Sequence, residues 1–160
     1  MSSSVTSEAI ILIAVVVAAV ALSQSFLTSM TMIQDKTTAS STAMGDKIST
    51  NVKIIYASGV NSTSARVWVK NIGTSTIHEP SITDSDLFFG PQGAFQWIGY
   101  NASGTSWSYK LLGDGGEGWR PGETLEINIK SSTLIQSGEY YVRYVTYNGV
   151  KSDLYISIGV

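Results

Sequence analysis

The sequence predicts an all-β fold, an immunoglobulin-like β-sandwich of about seven to nine strands, preceded by one N-terminal hydrophobic α-helix. Three observations carry this. No residue from Ala9 to Ile33 is charged. Past residue 50 the apolar residues fall into short runs of period two. Those runs end in Gly, Pro or Asn, and the chain holds 15 glycines with only 14% charged residues.

Residues 1–8, "MSSSVTSE", form a short polar start. Residues 9–33 follow as 25 uncharged positions, which as a helix would span about 37 Å, more than the roughly 30 Å of a bilayer core. Twelve of them are Ile, Leu, Val or Phe, a contribution of about -4 to -7 kcal/mol to insertion. Ala9 to Leu22 is wholly apolar, whereas a soluble-core helix carries a polar stripe. A secretory signal would open on a basic residue and hold a shorter apolar centre, although Ala21-Leu22-Ser23 imitates a cleavage site. The segment reads as a permanent membrane span or as the core of a filament.

Residues 34–50, "QDKTTASSTAMGDKIST", read as a Ser/Thr-rich stalk, either a continuation of the helix or a flexible spacer. Residues 51–160 read as the sandwich. "NVKIIYAS" and "SARVWVKN" form an antiparallel pair, with Val67 and Val69 opposite in facing to Trp68 and Lys70. Pro80 limits "TIHEPSIT" to an edge or bend. "SDLFFG", "AFQWIGY" and "SWSYKLL" are three further strands, and "GDGGEGWRPGE" is a long turn in which Pro121-Gly122 suits type II and Trp119 caps the core. "TLEINIK" places Leu125, Ile127 and Ile129 on one face. "GEYYVRYVTYNGVKSDLYISIGV" is a hairpin about Asn148-Gly149, which fits a type I′ turn.

Chemistry is sparse. With no cysteine, disulfides, zinc-thiolate sites and thiol nucleophiles are excluded. His78 is the single histidine, and its neighbour Glu79 would face the other way on a strand, which disfavours an acid–base couple. Asp84 and Asp86 lack the further oxygen ligands of a calcium loop, and "GDGGEG" (113–118) lacks the Lys and Ser/Thr of a P-loop. The net charge of -2 gives no footprint for nucleic acid. No catalytic residue, cofactor or metal is expected. Asn61-Ser62-Thr63 and Asn101-Ala102-Ser103 are N-glycosylation acceptors in predicted loops. Two-sided apolar strands mark Tyr140, Val142, Tyr144, Leu154 and Tyr155 as candidate interface residues in a homo-oligomer.

The early Glu8 ahead of an apolar helix resembles archaeal filament subunits and type IV pilins, but the basic residue and glycine of their leader peptide are absent. Over nearly the whole chain, "TSEAIILIAVVVAAVALS", "RVWVKNIGTSTI", "DSDLFFG", "FQWIGY", "GWRPGETLEINI" and "GEYYVRYVTYNGV" resemble the archaeal flagellar (archaellum) protein G family, FlaG/ArlG. Its most specific parts are "VWVKNIG" and the W-x-P-G-x-T-L-x-I turn-strand. The resemblance implies a non-enzymatic stator component of the archaellum. It would be a single-pass membrane protein whose C-terminal β-domain lies outside the cell, self-associates, and pairs with a sister protein F that contacts the surface layer. The alternative is a pilin- or archaellin-like subunit whose helix packs in a filament core.

Overall fold

The computed structural model describes residues 2–113 and 116–159, with side chains from Val5 onward. The chain divides into two compact units, Met1–Ala43 and Met44–Val160.

Helix α1 runs Ser2–Ser49. No glycine or proline interrupts it before Gly45, so nothing in the sequence breaks the i→i−4 ladder. Residues 34–49 therefore continue the helix as one piece. Val5–Ser49 is long enough to cross a membrane and holds an 18-residue stretch apolar enough to do so, with a mean hydropathy of 2.6. Its polar half is quieter than its composition implies. The Ser23 hydroxyl donates to the Ala19 carbonyl at 2.8 Å, Thr28 to Gln24 at 2.9 Å and Ser29 to Ser25 at 2.9 Å. Each hydroxyl is satisfied inside the helix, which lowers the cost of placing it in hydrocarbon.

The C-terminal turn of α1 belongs to the second unit and is closed by it. The Ser49 carbonyl, an orphan of the helix end, accepts from the Thr74 N–H at 2.9 Å and the Ser75 N–H at 3.3 Å. This approach requires Gly73, where a Cβ would collide with the Ser49 carbonyl.

The second unit holds eight strands: β1 Val52–Asn61, β2 Ser64–Asn71, β3 Asp86–Pro91, β4 Gln96–Tyr100, β5 Ser106–Leu112, β6 Thr124–Lys130, β7 Gly138–Val145 and β8 Lys151–Ile158. They form one sheet, in the order β1-β2-β6-β5-β4-β3-β7-β8. Two antiparallel halves, β1-β2-β6-β5 and β4-β3-β7-β8, are joined in the sheet where β4 runs parallel to β5, through the pairs Gly99–Ser106 and Tyr100–Trp107. The two ends of the sheet come back together. The Ile54 N–H of β1 donates to the Ser152 hydroxyl of β8 at 2.9 Å, and the Ile158 side chain fills the space that a Cβ on Gly59 would need. The sheet thus rolls towards a barrel, with all-β content as expected and a strand count inside the expected range.

The core lies inside the roll. Val67 and Val69 of β2, Leu125, Ile127 and Ile129 of β6, Leu87 of β3 and Val142 of β7 are all buried there. Period two explains the set: alternate residues point inward on each strand. Trp107 and Trp119 fill the interior, with the Tyr144 ring edge-on to both at 6.4 and 6.2 Å. Because Trp107 is on β5 and Tyr144 on β7, this contact joins the halves across the core.

Two departures from the sequence reading have local causes. "TIHEPSIT", expected as an edge or bend, holds the short helix α2, Glu79–Thr83, with Pro80 in its first turn, where a missing N–H costs nothing. The β7–β8 connection is not a type I′ turn, because Asn148 keeps a negative φ and only Gly149, at +81°, is left-handed. The Gly149 N–H donates to the Thr146 carbonyl at 2.8 Å and the Thr146 N–H to the Val150 carbonyl at 2.8 Å. That pattern is a type I turn closed by a glycine bulge. Asn148 is held by other partners: its amide donates to the Thr50 hydroxyl at 2.9 Å and the Asp46 carbonyl at 3.3 Å.

Candidate interaction face

With the inner faces committed to the core, the outer faces of the two halves remain to meet other molecules. Their chemistry differs. The outer face of β1-β2-β6-β5 is mainly polar: Arg66 stands opposite Asn128, Trp68 and Lys110 flank Glu126, and Ser108 flanks Asn128. Its aromatic pair, Tyr56 and Trp68, has ring centroids 5.4 Å apart.

The outer face of β4-β3-β7-β8 is aromatic. One row across the strands reads Trp97, Phe88, Arg143, Asp153. The next reads Gly90, Tyr141, Tyr155, with Phe95 folded over Gly90. Phe95 meets Tyr141 at 4.7 Å and Phe88 at 6.5 Å, and Tyr141 meets Tyr155 at 4.9 Å. Flanked in this way, Tyr141 is buried although it points outward, while Trp97 and Tyr155 remain 60% and 59% exposed.

The polar groups on this face are paired with one another. Arg143 grips Asp153 through two hydrogen bonds, Nε at 2.6 Å and Nη2 at 3.1 Å, and its guanidinium lies 5.4 Å from the Tyr141 ring centroid. The Trp97 indole N–H donates to Asp86 at 2.8 Å. Arg143 holds the Asp153 carboxyl below its ordinary range, with burial opposing and the Tyr141 hydroxyl assisting. Burial first, then Asp153, pushes the Tyr141 hydroxyl up. The face therefore carries one ion pair, Arg143 with Asp153, and a second carboxylate, Asp86, held by a neutral indole donor, around a patch of rings.

Of the candidate interface residues, Tyr140, Val142 and Tyr144 lie in the core. The reason is parity: on β7 the even-numbered residues point inward and Tyr141 and Arg143 point outward. Tyr140 stacks on Phe89 at 5.3 Å. Tyr155 is on the outer face, and Leu154 is half-buried against the core from its own inward position. The reading of the residues missed Trp97, Phe88, Phe95 and Tyr141. The available signal was the aromatic spacing of two in "FQW".

The remaining candidates are separate from this patch. Asn61 is exposed at the end of β1, where its side-chain oxygen accepts from the Thr63 N–H of the following turn at 2.9 Å. Asn101 is exposed after β4 with a φ of +45°. Asp84 caps the C-terminus of α2 and Asp86 binds Trp97, so the two aspartates serve different neighbours. Within "GDGGEG", Asp114 and Gly115 lie outside the described residues. Among the described residues no cluster of His, Asp and Glu could hold a metal ion.

The two most specific motifs prove to be one physical unit. Asn71 of "VWVKNIG" is fully buried, and its amide donates to the carbonyls of Ser75 and Trp119, both at 3.0 Å, while its oxygen accepts from the Gly73 N–H at 3.0 Å. The Gly122 N–H returns to the Asn71 carbonyl at 2.8 Å. The W-x-P-G turn is thus clamped to the strand-turn that closes α1.

The profile of the family described as Archaeal-type flagellin matches residues 2–156. The chain belongs to the archaeal-type flagellin family. The match takes in both α1 and the rolled sheet, so it is not confined to the apolar helix that many membrane proteins share. The chain is also 31% identical over 98% of its length to an uncharacterized protein of Archaeoglobus fulgidus, covering 99% of that protein. Among solved structures it is similar to the archaellum periplasmic stator protein FlaG of Sulfolobus acidocaldarius, at 28% identity and a TM-score of 0.58 over 67% of this chain and 99% of that one. It is likewise similar to a chain of the archaellum periplasmic stator complex of FlaF and FlaG from the same organism. There the identity is 27% and the TM-score 0.58, over 66% of this chain and 87% of that one.

Proposed function

We propose that the protein is a structural stator component of the archaellum. In this reading α1 anchors it in the cell membrane as a single pass. The rolled β-domain, immunoglobulin-like in its two facing halves, stands outside the cell. The domain self-associates and pairs with a sister protein of the F type to hold the motor against the surface layer. One observation carries the proposal: similarity in sequence and fold over two-thirds of the chain to solved stator proteins that it covers almost end to end. A stator works by holding, and an aromatic face on a closed-up sheet suits that task without any reacting group, so an enzymatic role is not proposed. Asn61 and Asn101 are both exposed and would carry glycans on the same exterior surface.

The family match itself favours a second reading, a filament subunit, because it spans the helix as well as the domain. Mass spectrometry of the protein from native cells separates the two. The stator reading expects the full chain in detergent-extracted membranes, N-terminal residues 2–8 retained, co-purifying with an F-type protein. Recovery from sheared filaments, with a mature terminus just ahead of Ala9, would replace it with the subunit reading. Full-length protein in the soluble fraction without detergent would remove both.

A further inference from the structure

Trp97 and the sequon at Asn101 lie against each other, although one belongs to β4 and the other to the loop that follows it. We propose that the first sugars of a glycan on Asn101 rest on the Trp97 ring, an inference that rests on the glycosylation reading above and says what the sugar meets.

Gly99 sets the place. Alternation along β4 turns Trp97 and Gly99 to the same outer side. Two side chains fill the space that the glycine leaves. A Cβ there would stand 2.8 Å from the Ala102 Cβ and 3.3 Å from the Trp97 Cη2. The Trp97 ring therefore points along β4 towards the loop, and the loop folds back until Ala102, the middle residue of the sequon, covers the same glycine. Asn101 makes that fold, with a φ of +45°, a left-handed value that asparagine tolerates better than most residues.

The attachment point is held from both sides. The Asn101 N–H donates to the Trp107 carbonyl at 3.0 Å. At the other end of the loop the Thr105 hydroxyl meets the Ser132 hydroxyl at 2.9 Å and accepts from the Ser132 N–H at 3.1 Å. A pinned base lowers the entropy lost when a sugar settles on the ring. The ring is oriented as well, since its N–H is tied to Asp86 at 2.8 Å, yet Trp97 stays 60% exposed. A pyranose offers a face of C–H bonds that packs on the electron-rich face of an indole while its hydroxyls stay in water. The sequon at Asn61 has a different setting. It pairs with Ser64 across its turn, and its side-chain oxygen accepts from the N–H and hydroxyl of Thr63.

One tryptic peptide, residues 71–110, carries Trp97, Asn101 and the buried Trp107 together, which allows a direct test. Full-length protein extracted from native cells in detergent is oxidised briefly with hydroxyl radicals while folded, and the peptide is read by mass spectrometry. Ser103→Ala, which removes the sequon and leaves Asn101 in its turn, supplies the glycan-free form. A sugar over one face of the ring removes roughly half of its exposure, so Trp97 oxidation should be about twofold lower in the glycosylated protein. Trp107 should be equally protected in both, and Asn61→Gln should leave Trp97 as it was. Equal oxidation of Trp97 with and without the Asn101 glycan overturns the inference and leaves glycosylation standing. Protection that persists in Ser103→Ala assigns the cover to another molecule and overturns it as well. Asn101 found bare in every copy removes glycosylation at this site and the inference together.

Discussion

The two halves of the rolled sheet share one core and differ on the outside. On β2, β5 and β6 the outward positions are largely Arg66, Lys70, Lys110, Glu126 and Asn128, and on β3, β4 and β7 they include Phe88, Trp97, Tyr141 and Arg143. Both halves bury a continuous apolar interior, mainly aliphatic in the first and with Phe89, Tyr140 and Tyr144 in the second, so the need for a core does not account for the difference outside. Alternation tells how a strand sits on a core, and the composition of the other face reports what lies beyond it.

The strongest attack on the comparison is at the contact that makes the halves one body. Trp107 is fully buried and touches Tyr144 across the core. Trp107→Ala should cost about 3–5 kcal/mol, measured by denaturant unfolding, in a single transition for the whole domain. Two separate transitions would mean the halves fold independently. Next is Asn71, whose side chain satisfies three backbone groups on two loops. Asn71→Ala should cost about 2–4 kcal/mol, since those groups lose their partner inside the fold. A loss under about 1 kcal/mol would show that water replaces the amide.

A paired measurement on the outer tryptophans sharpens the contrast itself. Trp68 is half-buried against Tyr56, and Trp97 is 60% exposed. Trp68→Ala should destabilise the domain by about 1–2 kcal/mol and Trp97→Ala by less than about 1 kcal/mol. Equal losses would indicate that both faces serve stability alike.

The smallest effect concerns Tyr144. Burial pushes its hydroxyl above the ordinary tyrosine range, opposed only in part by the Ser85 hydroxyl, with which it makes no bond of hydrogen-bond geometry. Because the folded value is raised, the unfolded chain ionises first, and stability falls as pH rises above about 10. Tyr144→Phe should change stability by less than about 0.5 kcal/mol at neutral pH and flatten that alkaline decline. A marked loss at neutral pH would mean that the hydroxyl has a partner in the folded protein.

Much of the fold was readable because the local signals were strong. An uncharged run of 25 residues admits little besides an apolar helix, and "TLEINIK" fixes its own inward face because its other face is polar. On β7 the same reasoning had nothing to hold. Tyr140, Val142 and Tyr144 and the alternate pair Tyr141 and Arg143 both offer large side chains, so period two identifies two faces without ranking them. The sheet's pairing chose. The hairpin turn failed for a similar reason: Asn-Gly permits a type I′ turn, but Thr50 and Asp46, about a hundred residues away, bind the Asn148 amide in another conformation.

From its own letters the chain determined a long apolar helix, a domain of short alternating strands, and the absence of thiol chemistry. These depend on composition and on spacing between near neighbours. Tertiary structure alone decided that Asn71 joins two distant motifs, that the β7 tyrosines divide between core and surface, and that four aromatic rings from four strands and a fifth from the β3–β4 connection form a single face. Those outcomes depend on which strands lie side by side, and strand neighbours are set by the closure of the whole sheet around its interior.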